Sequence, residues 1–118
     1  MNSEKLAKQI ARILREKQGR DIVIQDLRAV TSMTDFFVLC TVQADVQARA
    51  QVQTIETEMK AQGIRVWHKE GRPGDPWILI DYVDVVVHIF RDEAREFYGL
   101  ERLWGDAKFI EIKDDDES

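Results

Sequence analysis

Two short apolar runs separated by three residues constrain this chain more than any other feature. Trp77-Ile78-Leu79-Ile80-Asp81 and Val85-Val86-Val87-His88-Ile89-Phe90 flank the link Tyr82-Val83-Asp84. Both runs are mostly β-branched, aliphatic or aromatic and too short for ordinary helices, so they read as strands of an antiparallel hairpin. Neither alternates cleanly between apolar and polar residues. Both faces therefore need cover, which places the pair at the centre of a sheet or beneath helices.

The rest of the chain supplies that cover. Leu6, Ile10, Ile13 and Leu14 recur at helical spacing, which predicts an amphipathic helix over residues 3 to 18. Ser3 is the expected cap, and Gly19 suits a left-handed position beyond the end. Lys5, Lys8, Arg12 and Arg15 form a neighbouring stripe, diluted by Glu4 and Glu16, that reads as a solvated face rather than a phosphate-binding one. Strands follow over residues 21 to 28 and from Phe36 to Val42. Residues 45 to 62 form a second helix on Ala48, Val52, Ile55 and Met59, with Asp45 as cap and Gly63 as stop. A strand over 64 to 70, a loop through Gly71-Arg72-Pro73-Gly74-Asp75-Pro76, the hairpin and a helical segment from residue 92 complete the order. That last segment carries Ala94, Phe97 and Tyr98, then Leu100, Leu103 and Trp104 after Gly99. The expectation is one α/β domain with a mixed sheet of about five strands flanked by helices. The connection through the second helix is long enough for a crossover, so one strand pair is expected to be parallel.

Composition narrows the function. At 118 residues with 44% hydrophobic content, the chain has a core for one domain, over residues 1 to 110. No apolar run is long enough to span a membrane and no signal-peptide core follows Met1, so a cytoplasmic protein is expected. A lone cysteine, Cys40, excludes an intrachain disulfide and reads as a packed small hydrophobe. Of the net charge of −5, the segment 111 to 118 carries −4, leaving a near-neutral body and an acidic tail expected to be frayed. A globally basic nucleic-acid binder is disfavoured.

Enzyme signatures are missing: no phosphate loop, no dinucleotide fingerprint and no nucleophile elbow among the three serines. His68 and Glu70 share a strand face and His88 lies on another strand, but a hydrogen-bonded His88 is a simpler reading than a metal site. Asp35, Asp81 and Asp84 flank strands. Phe36 and Phe37 follow Asp35, so the second acid of a metal-dependent nucleotidyl-transfer pair is absent, and turn or cap roles are expected for all three. Trp77, Tyr98 and Trp104 lie beside acids, the composition of a protein-binding patch. Filling of the core is the competing reading, and it is the expectation for Trp67.

The ordered set Glu70-Gly71, Trp77-Ile78-Leu79-Ile80-Asp81, Asp84-Val85-Val86-Val87-His88-Ile89-Phe90, Arg95, Tyr98, Leu100-Glu101, Leu103-Trp104 and Asp106-Ala107 resembles the ribosomal silencing factors, the Iojap-related family. Asp21-Ile22-Val23 and Asp35-Phe36-Phe37-Val38 also fit, so the resemblance covers about residues 4 to 107. One departure is Val83, where the family usually carries glycine.

The resemblance implies a nucleotidyltransferase-like fold without transferase residues, cofactor or small-molecule substrate. It implies binding to the large ribosomal subunit through its protein uL14, a block on joining of the small subunit, and repression of translation. Homodimers, and a role in ribosome assembly among some relatives, are implied as well. Against a basic ribosomal protein, Trp77, Tyr98 and Trp104 would be anchors and Asp81, Asp84 and Glu101 would supply charge. An active metal-dependent nucleotidyltransferase and an assembly factor without silencing are the alternatives.

Overall fold

The computed structural model describes residues 2–105, 107–110 and 112, apart from the Phe97 side chain. The elements run α1 (Ser3–Glu16), β1 (Arg20–Asp26), β2 (Phe36–Val42), α2 (Asp45–Ala61), β3 (His68–Glu70), β4 (Trp77–Asp81), β5 (Val85–Arg91), α3 (Asp92–Tyr98), α4 (Leu100–Leu103) and β6 (Lys108–Ile110). They build one six-stranded sheet in the order β3-β4-β5-β2-β1-β6. Among the described residues only β2 and β5 pair in parallel, and the hairpin strands β4 and β5 are antiparallel, with Trp77 opposite Phe90 and Asp81 opposite Val86.

The two faces of the sheet differ. Ile78 and Ile80 of β4, Val85, Val87 and Ile89 of β5, and Phe36, Val38 and Cys40 of β2 point to one side. There Leu6, Ile10 and Leu14 of α1 and Ala48, Ile55 and Met59 of α2 complete a large buried core. The apolar stripe predicted for α1 is buried, as are Ala48, Ile55 and Met59 of α2, whereas Val52 is only partly covered and Gln51 is buried in its place. On the other side the buried cluster is small: Leu39, Phe90 and Ala94, with Val23, Phe37, Trp77 and Leu100 only partly covered. The short α3 and α4 roof this face incompletely, and the candidate site forms there.

Several local expectations are corrected. Asn2, not Ser3, caps α1, its Oδ1 accepting the Lys5 amide at 2.8 Å, while the Ser3 hydroxyl donates to Asp35 at 2.8 Å. Gln18, not Gly19, takes the left-handed conformation. Gly19 instead sits so close to Cys40 and Gln51 that a Cβ would lie 2.8 Å from Gln51 Nε2, so it is needed for close approach rather than for φ. Asp45 makes no cap bond but pairs with Arg91, tying the start of α2 to the end of β5. The strand expected over 64 to 70 is reduced to three residues because residues 64 to 67 form no ladder, and Trp67 is 71% exposed rather than core. The sixth strand, β6, was not expected: it pairs with β1, Ile110 opposite Ile24. The expected acidic tail falls outside the described residues except for Ile112, as does Asp106.

Candidate functional site

Trp77 opens β4 directly after the loop of residues 71 to 76. That loop is closed by the Asp75 amide donating to the Arg72 carbonyl at 2.8 Å and by the Arg72 amide donating to Asp75 Oδ2 at 3.0 Å. Gly71 has φ +88°, and a Cβ there would lie 2.5 Å from the Trp77 carbonyl oxygen, so only glycine fits. The turn thereby sets where the Trp77 backbone lies. Its ring stacks on Phe90 at 5.2 Å between centroids and meets Tyr98 at 4.8 Å. Tyr98 arrives because α3 begins directly after β5 and folds back over the sheet. The Trp77 indole Nε1 donates to His88 Nδ1 at 3.1 Å. His88 is 2% exposed, and burial lowers its pKa to about 3, so the imidazole is neutral.

An open cavity of about 340 Å³ borders these rings, lined by Glu70, Gly71, Asp75, Pro76, Trp77, Leu79 and Tyr98. Among the described residues the lining holds two carboxylates, two large aromatics and a leucine, and no lysine or arginine. Such a set attracts a cationic side chain with an apolar stem: the carboxylates pair with its charge and the rings pack on its stem or face. It offers no serine or cysteine nucleophile.

The other predicted residues are distributed around this centre. Asp81 lies on the Trp77 face of β4, as strand alternation requires, and its Oδ1 accepts the Val83 amide at 2.7 Å. Asp84 is exposed at the hairpin end, and its carbonyl accepts the amides of Asp35 and Phe36, each at 3.0 Å. The expected turn role is met by the Asp81 carboxylate, whereas Asp84 contributes through its main-chain carbonyl. Glu101 and Trp104 are not brought beside Trp77. Their carbonyls accept from the Gln25 side chain, at 3.2 and 3.1 Å, and Gln25 lies on β1, three strands away in the sheet. The Glu101 carboxylate is held by Arg95 at 2.9 Å, and Arg95 also donates to the Thr41 hydroxyl and the Asp21 carbonyl. Trp104 is half-buried.

Glu70, Asp75, Phe90 and His88 are not among the partner-binding residues predicted from sequence; Glu70 and His88 are weighed there only for a metal site, and His88 is hydrogen-bonded as the simpler reading expects. A signal existed for two of them. Glu70 directly precedes the glycine that shapes the loop, and His88 is the one ionisable residue inside an otherwise apolar run. His68 and Glu70 meet at 2.8 Å on the exposed edge strand, but His88 is buried against Trp77, and no group of three or more metal-ligating residues occurs among the described residues. Cys40 lies on the opposite, helix-covered face, where burial pushes its thiol up to about 12.

Comparison with known proteins follows the same line. The family model described as "Ribosomal silencing factor during starvation" matches residues 1–118. A Bacillus subtilis protein named ribosomal silencing factor RsfS is 34% identical over 112 residues, covering 95% of each chain. A crystal structure of a Chromobacterium violaceum protein superposes with a TM-score of 0.83 at 28% identity, covering 89% of this chain and 88% of the other. A more distant mouse protein, named for mitochondrial assembly of the ribosomal large subunit, is 28% identical over 95 residues, which are 78% of this chain and 42% of that one.

Proposed function

Because this chain belongs to the ribosomal silencing factor family, we propose that it binds the large ribosomal subunit through uL14 and, by occupying the intersubunit side, keeps the small subunit from joining. The observation that carries this reading is the acid-lined aromatic cavity at Trp77 and Tyr98 on the half-covered face of the sheet. Ribosomal proteins are generally basic, and this cavity offers them an apolar centre with a carboxylate edge. Asp81 and Asp84 extend the acidic edge along the hairpin, while Glu101 and Trp104 form an outer contact beyond α3. Steric exclusion requires affinity and position, not catalysis, and aromatic anchors with a carboxylate edge are suited to supply both. The protein acts in the cytoplasm, where its target is, and it forms a homodimer. Residues 1 to 110 act as the binding domain and 111 to 118 as an acidic tail.

The name of the mouse relative favours a second reading, assistance in large-subunit assembly without silencing. Sucrose-gradient sedimentation separates the two. Silencing predicts that purified protein rides with free large subunits and depletes joined ribosomes in a reconstitution. Assembly alone predicts co-sedimentation with immature large subunits and no depletion. Protein that stays at the top of the gradient overturns both.

A further inference from the structure

His88 is the one buried ionisable side chain on the half-covered face of the sheet that no turn, cap or ion pair explains. It lies in the middle of β5, between Val86 and Phe90 on that face, with the edge of Phe37 against it at 4.5 Å. Its Nδ1 accepts the Trp77 indole N–H at 3.1 Å, so the ring proton of the neutral imidazole sits on Nε2. Nε2 is buried and has no hydrogen-bond partner among the described residues. Burying an unpaired donor is unfavourable, and a leucine or phenylalanine at this point of an apolar face would avoid it. The single polar contact that the imidazole makes is the one to Trp77.

We propose that His88 is a positioning residue: its Nδ1 holds the Trp77 indole in the orientation that stacks on Phe90, packs at a tilt against Tyr98 and presents the ring to the partner. This role rests on the reading of Trp77 as an anchor of the binding site. Two consequences follow from the geometry. The indole spends its only donor inward, so the ring meets its partner through its π-face and edge rather than through a hydrogen bond. The ring is also ordered before contact, which lowers the conformational entropy lost on binding.

The test pairs a spectroscopic readout with affinity. His88→Leu removes the acceptor and fills the space. His88→Asn places an oxygen where Nδ1 stood, and His88→Gln is a second acceptor variant. Expected for His88→Leu are a folded protein, loss of the downfield, slowly exchanging Trp77 indole proton in the NMR spectrum, and large-subunit binding weakened fivefold or more. An acceptor variant should restore both the indole signal and affinity to within about twofold of the parent. In a Trp77→Phe background, which has no indole donor, His88→Leu should cost no further affinity. An unchanged indole signal in His88→Leu overturns the proposal. So does parental affinity in His88→Leu while Trp77→Ala binds poorly, or an equal loss in the Trp77→Phe background. Failure of the underlying reading has a different signature: Trp77→Ala binds the large subunit as tightly as the parent, and the positioning role falls with it.

Discussion

Val83 adopts φ +76°, a left-handed conformation that a β-branched side chain resists, because Asp81 Oδ1 holds its amide and the hairpin closes in only three residues. Left-handed backbone costs an L-residue about 1–2 kcal/mol, and glycine returns part of that gain through its looser unfolded chain. Val83→Gly should therefore stabilise the protein by about 1 kcal/mol, seen as a higher midpoint in urea. At Trp77, truncation of a stacked anchor is expected to cost about 2 kcal/mol of binding. Trp77→Ala should weaken large-subunit binding at least tenfold, and Asp81→Lys at least as much through charge reversal. Circular dichroism should be unchanged in both, since neither side chain enters the helix-covered core. His88 makes stability acid-sensitive. Its pKa is about 3 when folded, through burial, against an ordinary value near 6.5 when unfolded. Between these values the unfolded chain binds the extra proton, so stability is full above about pH 6.5 and falls on acidification at about 1 kcal/mol per pH unit. Asp26, held low by Arg28, adds a further loss only at the acid end of that window. Urea midpoints at pH 7, 6, 5 and 4 should fall for the parent and stay much flatter for His88→Leu.

At the scale of elements, the least secured piece is α4. It has no buried residue and four residues in all, too few to hold themselves in water. Its strongest tethers are polar: Gln25 donates to the carbonyls of Glu101 and Trp104, and Arg95 grips the Glu101 carboxylate with two bonds at 2.9 and 3.1 Å, while Arg102 donates to the Glu96 carbonyl at 3.4 Å and Leu100 packs on the small cluster. Gln25 is itself fully buried on β1. Gln25→Leu should leave the sheet and α1 intact but release α4, raising amide hydrogen exchange over residues 100 to 104 by tenfold or more. Unchanged exchange there would show that the remaining contacts suffice. Gly71 belongs to the same scale, because the loop it permits decides where β4 begins and hence where Trp77 stands.

At the scale of the molecule, the sheet separates stability from recognition. One face is fully spent on α1 and α2, whereas the other keeps an aromatic cluster half open under a short roof. Binding through that face mixes desolvated rings with carboxylates at the edge, and only the edge charges are well screened at a Debye length of roughly 8 Å in physiological salt. Raising salt from about 0.1 to 0.4 M should weaken large-subunit binding only severalfold. Complete dissociation over that range would mean a mainly electrostatic contact.

The amino-acid pattern alone determined those features that depend on near neighbours. The bounds of β2 and β4, the hairpin, and the placing of Trp77 and Asp81 on one face all follow from a strand's twofold alternation, which is local and cannot slip without exposing the apolar set. The stripes of α1 and α2 are legible for the same reason. Long-range pairing decided the rest. β6 has only three residues, two of them exposed, and is a strand because β1 offers an open edge. Residues 64 to 67 are apolar enough for a strand but find no ladder, which leaves Trp67 in solvent. Tyr98 joined Trp77 while Glu101 and Trp104 went to Gln25, because Gly99 breaks the helix between them and redirects the chain toward β1. The bond from Trp77 to His88 spans adjacent strands, and the cavity draws on β3, β4, a loop and α3 at once. No local period encodes such a meeting, because what sets it is the order of strands in the sheet rather than the order of residues in the chain.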